Sequence, residues 1–169
     1  TSPDERRATV RRFAELVDQQ RDELAALITQ ETGKLPWDAA TEAAAVVAKA
    51  ELSIQATDAL AERPVALPAA TGQTILRPLG VVAVLGPFNF PAHLPNGQII
   101  PALLAGNAVV FKPSDKAPAV AECLATQWQR AGLPDNLLQV VQGAVPTAEA
   151  LIDAPINAVL FTGSHAAGQ

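Results

Sequence analysis

Val81-Val82-Ala83-Val84-Leu85-Gly86-Pro87 is the stretch on which the fold turns. Five apolar residues in a row, three of them β-branched, leave no polar face, so a strand built from them is buried on both sides. Gly86-Pro87 ends the run abruptly. Downstream the same texture recurs three times. Ala108-Val109-Val110-Phe111 stops at Lys112-Pro113-Ser114, Leu137-Leu138-Gln139-Val140-Val141 at Gln142-Gly143, and Ala158-Val159-Leu160-Phe161 at Thr162-Gly163-Ser164. Each gap has room for one helix, expected near 94–105, 118–131 and 146–153. Non-alternating strands joined by helices specify an α/β fold, a parallel sheet with helices on both faces and right-handed crossovers.

Upstream the period changes. Val10, Phe13, Leu16, Val17, Leu24, Leu27 and Ile28 recur at three- and four-residue spacing, which predicts a helix over 4–32. Ser2-Pro3-Asp4-Glu5 starts it and Gly33 stops it. Pro36 opens a second, alanine-rich helix over 37–61, and the two are expected to pair as an antiparallel hairpin. Pro64, Pro68 and Gly72 make the following residues a connector, with a short strand at Thr74–Arg77. The expected organisation is a helical hairpin over 1–63, a connector over 64–79 and a three-layer α/β part over 80–169, together one structural domain. Gly168-Gln169 falls where a further helix is expected to begin, so the sequence is read as truncated at its C-terminus.

Composition excludes several classes. The 169 residues are 49% hydrophobic and carry a net charge of −5. Arg6, Arg7, Arg11 and Arg12 are interspersed with acids rather than pooled, which argues against nucleic acid as a partner. No apolar run reaches the roughly 18 residues of a membrane span, and the first residues lack a signal-peptide core. The single cysteine, Cys123, cannot form an internal disulfide, and the whole fits a cytoplasmic protein. Cys123 lies inside an expected helix and reads as a packing residue, as do Trp37 and Trp128. His93 and His165 lack metal-ligand spacing, and no metal site is expected. His93 itself either lines a pocket or is structural.

In an open parallel sheet, ligands gather at the carboxyl ends of the strands. Three of these ends carry unusual residues. After the last strand, Gly163-Ser164-His165-Ala166-Ala167-Gly168 permits a tight turn into a helix start whose free N–H groups suit a pyrophosphate; a plain strand-to-helix turn is the alternative. After the second, Lys112, Ser114 and Asp115 bring a cation and an acid within reach of ribose hydroxyls. There, a surface turn capping the next helix is the alternative. After the first, Asn89 sits between Phe88 and Phe90 on a proline-flanked loop. Its amide can donate to a developing oxyanion or simply bond its own backbone.

The order and spacing of these loops resemble the aldehyde dehydrogenase superfamily. The resemblance is carried by Gly86-Pro87-Phe88-Asn89-Phe90-Pro91, Pro101-Ala102-Leu103-Leu104-Ala105-Gly106-Asn107, Phe111-Lys112-Pro113-Ser114-Asp115, Ala131-Gly132-Leu133-Pro134 and Phe161-Thr162-Gly163-Ser164. Glu31-Thr32-Gly33-Lys34 and Trp37-Asp38-Ala39-Ala40-Thr41-Glu42 extend it across nearly the whole chain. Within the superfamily, Asn89-Phe90-Pro91-Ala92-His93-Leu94-Pro95-Asn96-Gly97 is most similar to the succinylglutamate-semialdehyde dehydrogenases of arginine degradation.

The resemblance implies a Rossmann-like NAD-binding domain and an aldehyde substrate. Asn89 is then the oxyanion-hole amide. Leu85, Gly86, Pro87 and Phe88 run beside the cofactor, and Lys112 with Ser114 or Asp115 holds the adenosine ribose. Gly143 is a retained glycine near the cofactor. Phe161 and Thr162 lead into the dinucleotide-binding turn of Gly163, Ser164, His165, Ala166, Ala167 and Gly168, with Ser164 near the pyrophosphate. In the family a cysteine thiolate attacks the aldehyde, hydride passes to NAD, and a glutamate activates water. Both residues belong to motifs beyond Gln169, so this piece alone is expected to be inactive. A homo-oligomer is expected of the full-length protein.

One departure is Glu149, which sets a negative charge near where many relatives have glycine. The family's N-terminal strands and its oligomerisation strand also lie outside these residues. Two other readings keep the fold. One is a non-catalytic nucleotide-binding or assembly module. The other is an acyl-phosphate reductase preferring NADP, against which Asp115 argues by repelling a 2′-phosphate.

Overall fold

The structure, a computed structural model, describes residues 1–60, 63–67, 70–74 and 77–168. Three helices come first: α1 (Pro3–Gln19), α2 (Arg21–Thr32) and α3 (Pro36–Leu60). Strands β1 (Arg63–Leu67) and β2 (Ala70–Thr74) follow. Then strands and helices alternate: β3 (Val81–Leu85), α4 (His93–Leu104), β4 (Ala108–Lys112), α5 (Pro118–Arg130), β5 (Leu138–Val140), α6 (Val145–Ile152) and β6 (Ala158–Phe161). The α/β expectation from the apolar runs is met, within a residue or two at every boundary from β3 onward.

The Ser2 start signal works as read. Its hydroxyl accepts from the Glu5 N–H at 3.2 Å, and the Glu5 carboxylate accepts from the Ser2 N–H at 2.6 Å, a complete capping box. The helix expected over 4–32, however, is two helices. Gln20 leaves the helical region (φ −113°, ψ 24°), and its side-chain oxygen accepts from the Gln127 amide and from Arg130 on α5. A tertiary contact, not a glycine or proline, makes the break. Gly33 ends α2 in a left-handed cap (φ 73°). The ion pairs Arg7–Asp58 and Arg11–Glu51 run α1 and α3 antiparallel, as the hairpin reading required.

The connector reading needs correction. Residues 63–67 and 70–74 form an antiparallel two-stranded ribbon in which Arg63 pairs with Thr74 and Leu67 with Ala70. Each strand of such a ribbon has an open side, so the missing donor of Pro64 is tolerated. The short strand read at 74–77 is not found there: Thr74 ends β2, Arg77 is irregular, and residues 75 and 76 lie outside the described residues.

The main sheet is fully parallel in the order β5-β4-β3-β6. The chain starts at β3, steps outward to β4 and β5, then returns to lie on the other side of β3 as β6. Right-handed crossovers therefore put α4 and α5 on one face and α6 on the other. Helices α1–α3 pack on α4 and α5, and one apolar core runs through both layers. At its centre Phe13 of α1 stacks on Trp128 of α5, ring centroids 3.9 Å apart and planes 6° from parallel. Trp37, by contrast, is 69% exposed and is not a packing residue.

Remote side chains finish the helices. Neither α4 nor α5 has a local side-chain cap. Glu31 of α2 accepts from the Ala119 and Val120 N–H groups at the start of α5, both at 2.9 Å. Arg6 and Arg12 of α1 donate to the Leu104 and Ala131 carbonyls at the ends of α4 and α5, each at 2.8 Å. Buried Asn107 fixes the register before β3, accepting from Leu79 and Gly80 N–H while donating to the Ala102 carbonyl.

Candidate functional site

Strand order reverses between β3 and β6: the connection leaving β3 runs to one side, the chain arriving at β6 comes from the other. Loops diverge at such a point and leave a crevice beyond the strand ends. A cavity of about 870 Å³ occupies that position.

Leu85, Gly86, Pro87, Phe88 and Asn89 form its wall after β3. Lys112, Ser114 and Asp115 form the wall after β4, and Phe161, Thr162, Gly163, Ser164, Ala166 and Ala167 the wall after β6. Asn89 and Ser164 thus share one cleft. Gly143, His165 and Gly168 do not line it. Gly143 is needed for another reason: it has φ +146°, and a Cβ there would collide with the Thr147 hydroxyl, so it sets the turn into α6. His165 and Gly168 are joined by a turn bond, Gly168 N–H to the His165 carbonyl at 3.0 Å. No helix begins among the described residues of this segment, which ends in a turn.

A fourth wall was not read from the sequence. Ala144, Val145, Ala148, Glu149 and Ile152 of α6 and its lead-in face the cavity, and Lys116 adds a cation. Helix α6 has no buried residue, and Val145 and Ile152 are 67% and 50% exposed. Glu149, singled out as a departure, is on this wall.

The glycines after the strands answer to packing. A Cβ at Gly86 would lie 2.7 Å from the Pro95 ring and 3.0 Å from Phe111, and one at Gly163 would collide with the Phe161 ring. For an anionic ligand the relevant groups are elsewhere. Ser164 and Ala166 line the cavity, and among the described residues their backbone N–H groups have no partner. Ser114 does not cap α5: its hydroxyl accepts from the Lys116 N–H at 3.2 Å, leaving Asp115 at the rim. Lys112 is 8% exposed and donates to the Pro113 carbonyl at 2.7 Å. Burial pulls its ammonium below the ordinary lysine range, and Asp115 opposes the shift.

The Asn89 loop is tied from behind. Glu42 of α3 is 3% exposed, and its Oε1 accepts from the Ala92 and His93 N–H groups at 3.0 and 3.1 Å. Its Oε2 accepts from Lys34 Nζ at 2.6 Å, and that ammonium sits 3.5 Å from the Phe90 ring centroid. Further along α4, Gln98 donates to the Thr162 hydroxyl at 3.0 Å and links the two sides of the crevice. Burial and then Lys49 push the His93 imidazole below its ordinary value, against Glu42 and the Ala45 backbone. Cys123 on α5 packs against the core away from the cavity, and burial, reinforced by Glu23, pushes its thiol up. A thiol held protonated is a poor nucleophile. Among the described residues no group of His, Cys, Asp and Glu is placed to hold a metal, and no helix is long and apolar enough to cross a membrane.

Several known proteins resemble this chain over almost its whole length. N-succinylglutamate 5-semialdehyde dehydrogenase 1 of Caulobacter vibrioides is 53% identical over 98% of the chain, which covers 35% of that protein. Glyceraldehyde-3-phosphate dehydrogenase of Methanocaldococcus jannaschii, solved with NADP, superposes with a TM-score of 0.92 at 26% identity, over 99% of this chain and 38% of its own. Aldehyde dehydrogenase of Bacillus cereus, solved with NAD+, gives 0.92 at 27% identity, over 99% of this chain and 35% of its own. The chain spans about a third of the length of the curated relatives it matches. The aldehyde dehydrogenase family model matches residues 1–169 from end to end, and the chain belongs to that family.

Proposed function

We propose that these residues are the NAD-binding portion of an enzyme that oxidises N-succinyl-L-glutamate 5-semialdehyde, or a closely similar aldehyde, to the carboxylic acid. The observation that carries the reading is the single crevice at the β3/β6 reversal, with Asn89 on one wall and Ser164 on the other. Identity of 53% and 52% to proteins named for that substrate supports the choice of aldehyde.

The residues fit a dinucleotide. The free N–H groups of Ser164 and Ala166 receive the pyrophosphate, and Lys112, Ser114 and Asp115 receive the adenosine ribose. Asp115 accepts from a 2′-hydroxyl and repels a 2′-phosphate, which selects NAD. Leu85 to Phe88 form the wall along which the nicotinamide end runs. Bound there, NAD would accept the substrate's hydride. Asn89 donates its side-chain N–H to the carbonyl oxygen as negative charge develops on it. On this reading the attacking thiolate and the water-activating carboxylate are not among the 169 residues, and Cys123 plays no part in the chemistry.

Calorimetric titration with NAD and NADP tests the cofactor assignment. NAD is expected to bind at least tenfold more tightly than NADP, and Asp115→Asn to shrink that difference to threefold or less. Absence of binding by either dinucleotide, or tighter binding of NADP, overturns it.

A further inference from the structure

We infer that the pair formed by the part-buried Lys34 and the buried Glu42 is a positioning element for the Asn89 carboxamide, acting through the backbone of residues 90–93. The inference rests on the oxyanion role proposed for Asn89. Phe88, Asn89 and Phe90 are exposed, and the sheet holds only the near end of their loop, through the Gly86 N–H to the Lys112 carbonyl at 3.0 Å. The far end is held by the buried Pro91 and Ala92, by the start of α4, and by one carboxylate about fifty residues away. Glu42 takes the Ala92 and His93 N–H groups on Oε1 and Lys34 on Oε2.

Helix capping does not account for this arrangement. Glu31 caps α5 with both oxygens on backbone N–H groups and has no cation of its own. Glu42 spends one oxygen on Lys34, whose ammonium then lies on the face of Phe90, the residue next to Asn89. A cap needs no such contact. A buried carboxylate beside a part-buried ammonium carries a desolvation cost that a local serine cap avoids. Geometry at Asn89 is what the extra contact controls. The lysine holds the ring and the glutamate holds the next two amides, so the backbone that carries Asn89 is tied on both sides.

The experiment uses the full-length polypeptide that contains these residues, with saturating NAD and N-succinyl-L-glutamate 5-semialdehyde. Asn89→Ala is expected to lower kcat by about 10²–10³-fold. Lys34→Met is expected to lower kcat at least tenfold, since small misplacements of a reacting group cost up to about 10²-fold. Its Kd for NAD should stay within twofold, because the 112–115 and 162–168 segments are untouched. Lys34→Arg should recover most of the loss. In the Asn89→Ala background, Lys34→Met should cost less than twofold further. An equal cost with and without Asn89, or a wild-type kcat in Lys34→Met, overturns the inference.

Hydrogen exchange separates failure of the clamp from failure of the oxyanion reading. If Asn89→Ala leaves kcat within twofold, the oxyanion role falls, and with it the clamp's catalytic purpose. In either case Lys34→Met and Glu42→Gln should speed exchange of the amides at 92 and 93 at least tenfold while β3 and β4 amides stay unchanged. Unchanged exchange at those amides overturns the clamp itself.

Discussion

The loop after β3 and the turn after β6 face the same cavity, yet they are secured in opposite ways. The first is anchored by a buried carboxylate, a part-buried lysine, a ring contact and the N-terminus of a twelve-residue helix that is packed into the core. The second is exposed from Gly163 to Gly168 and relies on the Gln98–Thr162 bond and its own short turn bonds. The strands feeding them differ likewise. β3 lies between two neighbours with Val82 to Leu85 buried, whereas among the described residues β6 pairs only with β3 and leaves Val159 and Phe161 about two-fifths exposed. A group that must face a reacting atom needs a fixed frame, while backbone amides that wrap a large anionic ligand can take their final shape from it. On the proposed function, the stiff side presents the catalytic amide and the loose side receives the cofactor.

The largest effect expected of this contrast is on stability. Glu42→Ala removes a buried carboxylate, stranding the part-buried Lys34 and two amides, and should cost about 3 kcal/mol in urea unfolding. A loss below 1 kcal/mol would erase the contrast. A smaller effect should appear with pH on the stiff side. His93 is held below its ordinary 6.5 by burial and by Lys49, with Lys34 acting in the same direction and Glu42 against it. Its contribution to stability is therefore complete above pH 6.5 and is lost as pH falls through the lowered folded value. Thermal melts between pH 7 and 5 should show a steeper fall for the native protein than for His93→Gln; parallel curves would remove His93 from the account. The smallest effect belongs to the loose side. Ser164→Ala breaks only an exposed 3.3 Å bond to the Ala167 N–H and should shift stability by no more than about 0.5 kcal/mol.

Much of this was legible in the residues. Unbroken apolar runs announced parallel strands, buried as expected in β3 and β4 but only half-covered in β5 and β6, and Pro36 and Gly33 marked helix ends. The three strand-end loops line one cavity, because a parallel sheet puts all its carboxyl ends on one edge. The β1–β2 ribbon escaped, since Pro64, Pro68 and Gly72 read as breakers when no partner strand is in view. The break at Gln20 escaped because its cause is on α5. Glu42 was quoted only as part of a helical motif, and nothing in its neighbours said that it would be buried or that it would reach residues 92 and 93. The α6 wall was missed because a short helix with apolar Val145 and Ile152 reads as a core element, whereas here both are exposed.

The amino-acid order alone determined the element types, the parallel sheet and the chemistry available at each strand end. These follow from periodicity, β-branching and turn residues, all of which act over a few positions. Only the tertiary structure decided that β6 returns to the far side of β3, that α4 and α5 are capped by acids from the helical hairpin, and that Lys34 and Glu42 stand behind Asn89. Those outcomes depend on contacts between residues roughly fifty to ninety positions apart, where burial and geometry, rather than local preference, set which polar groups meet.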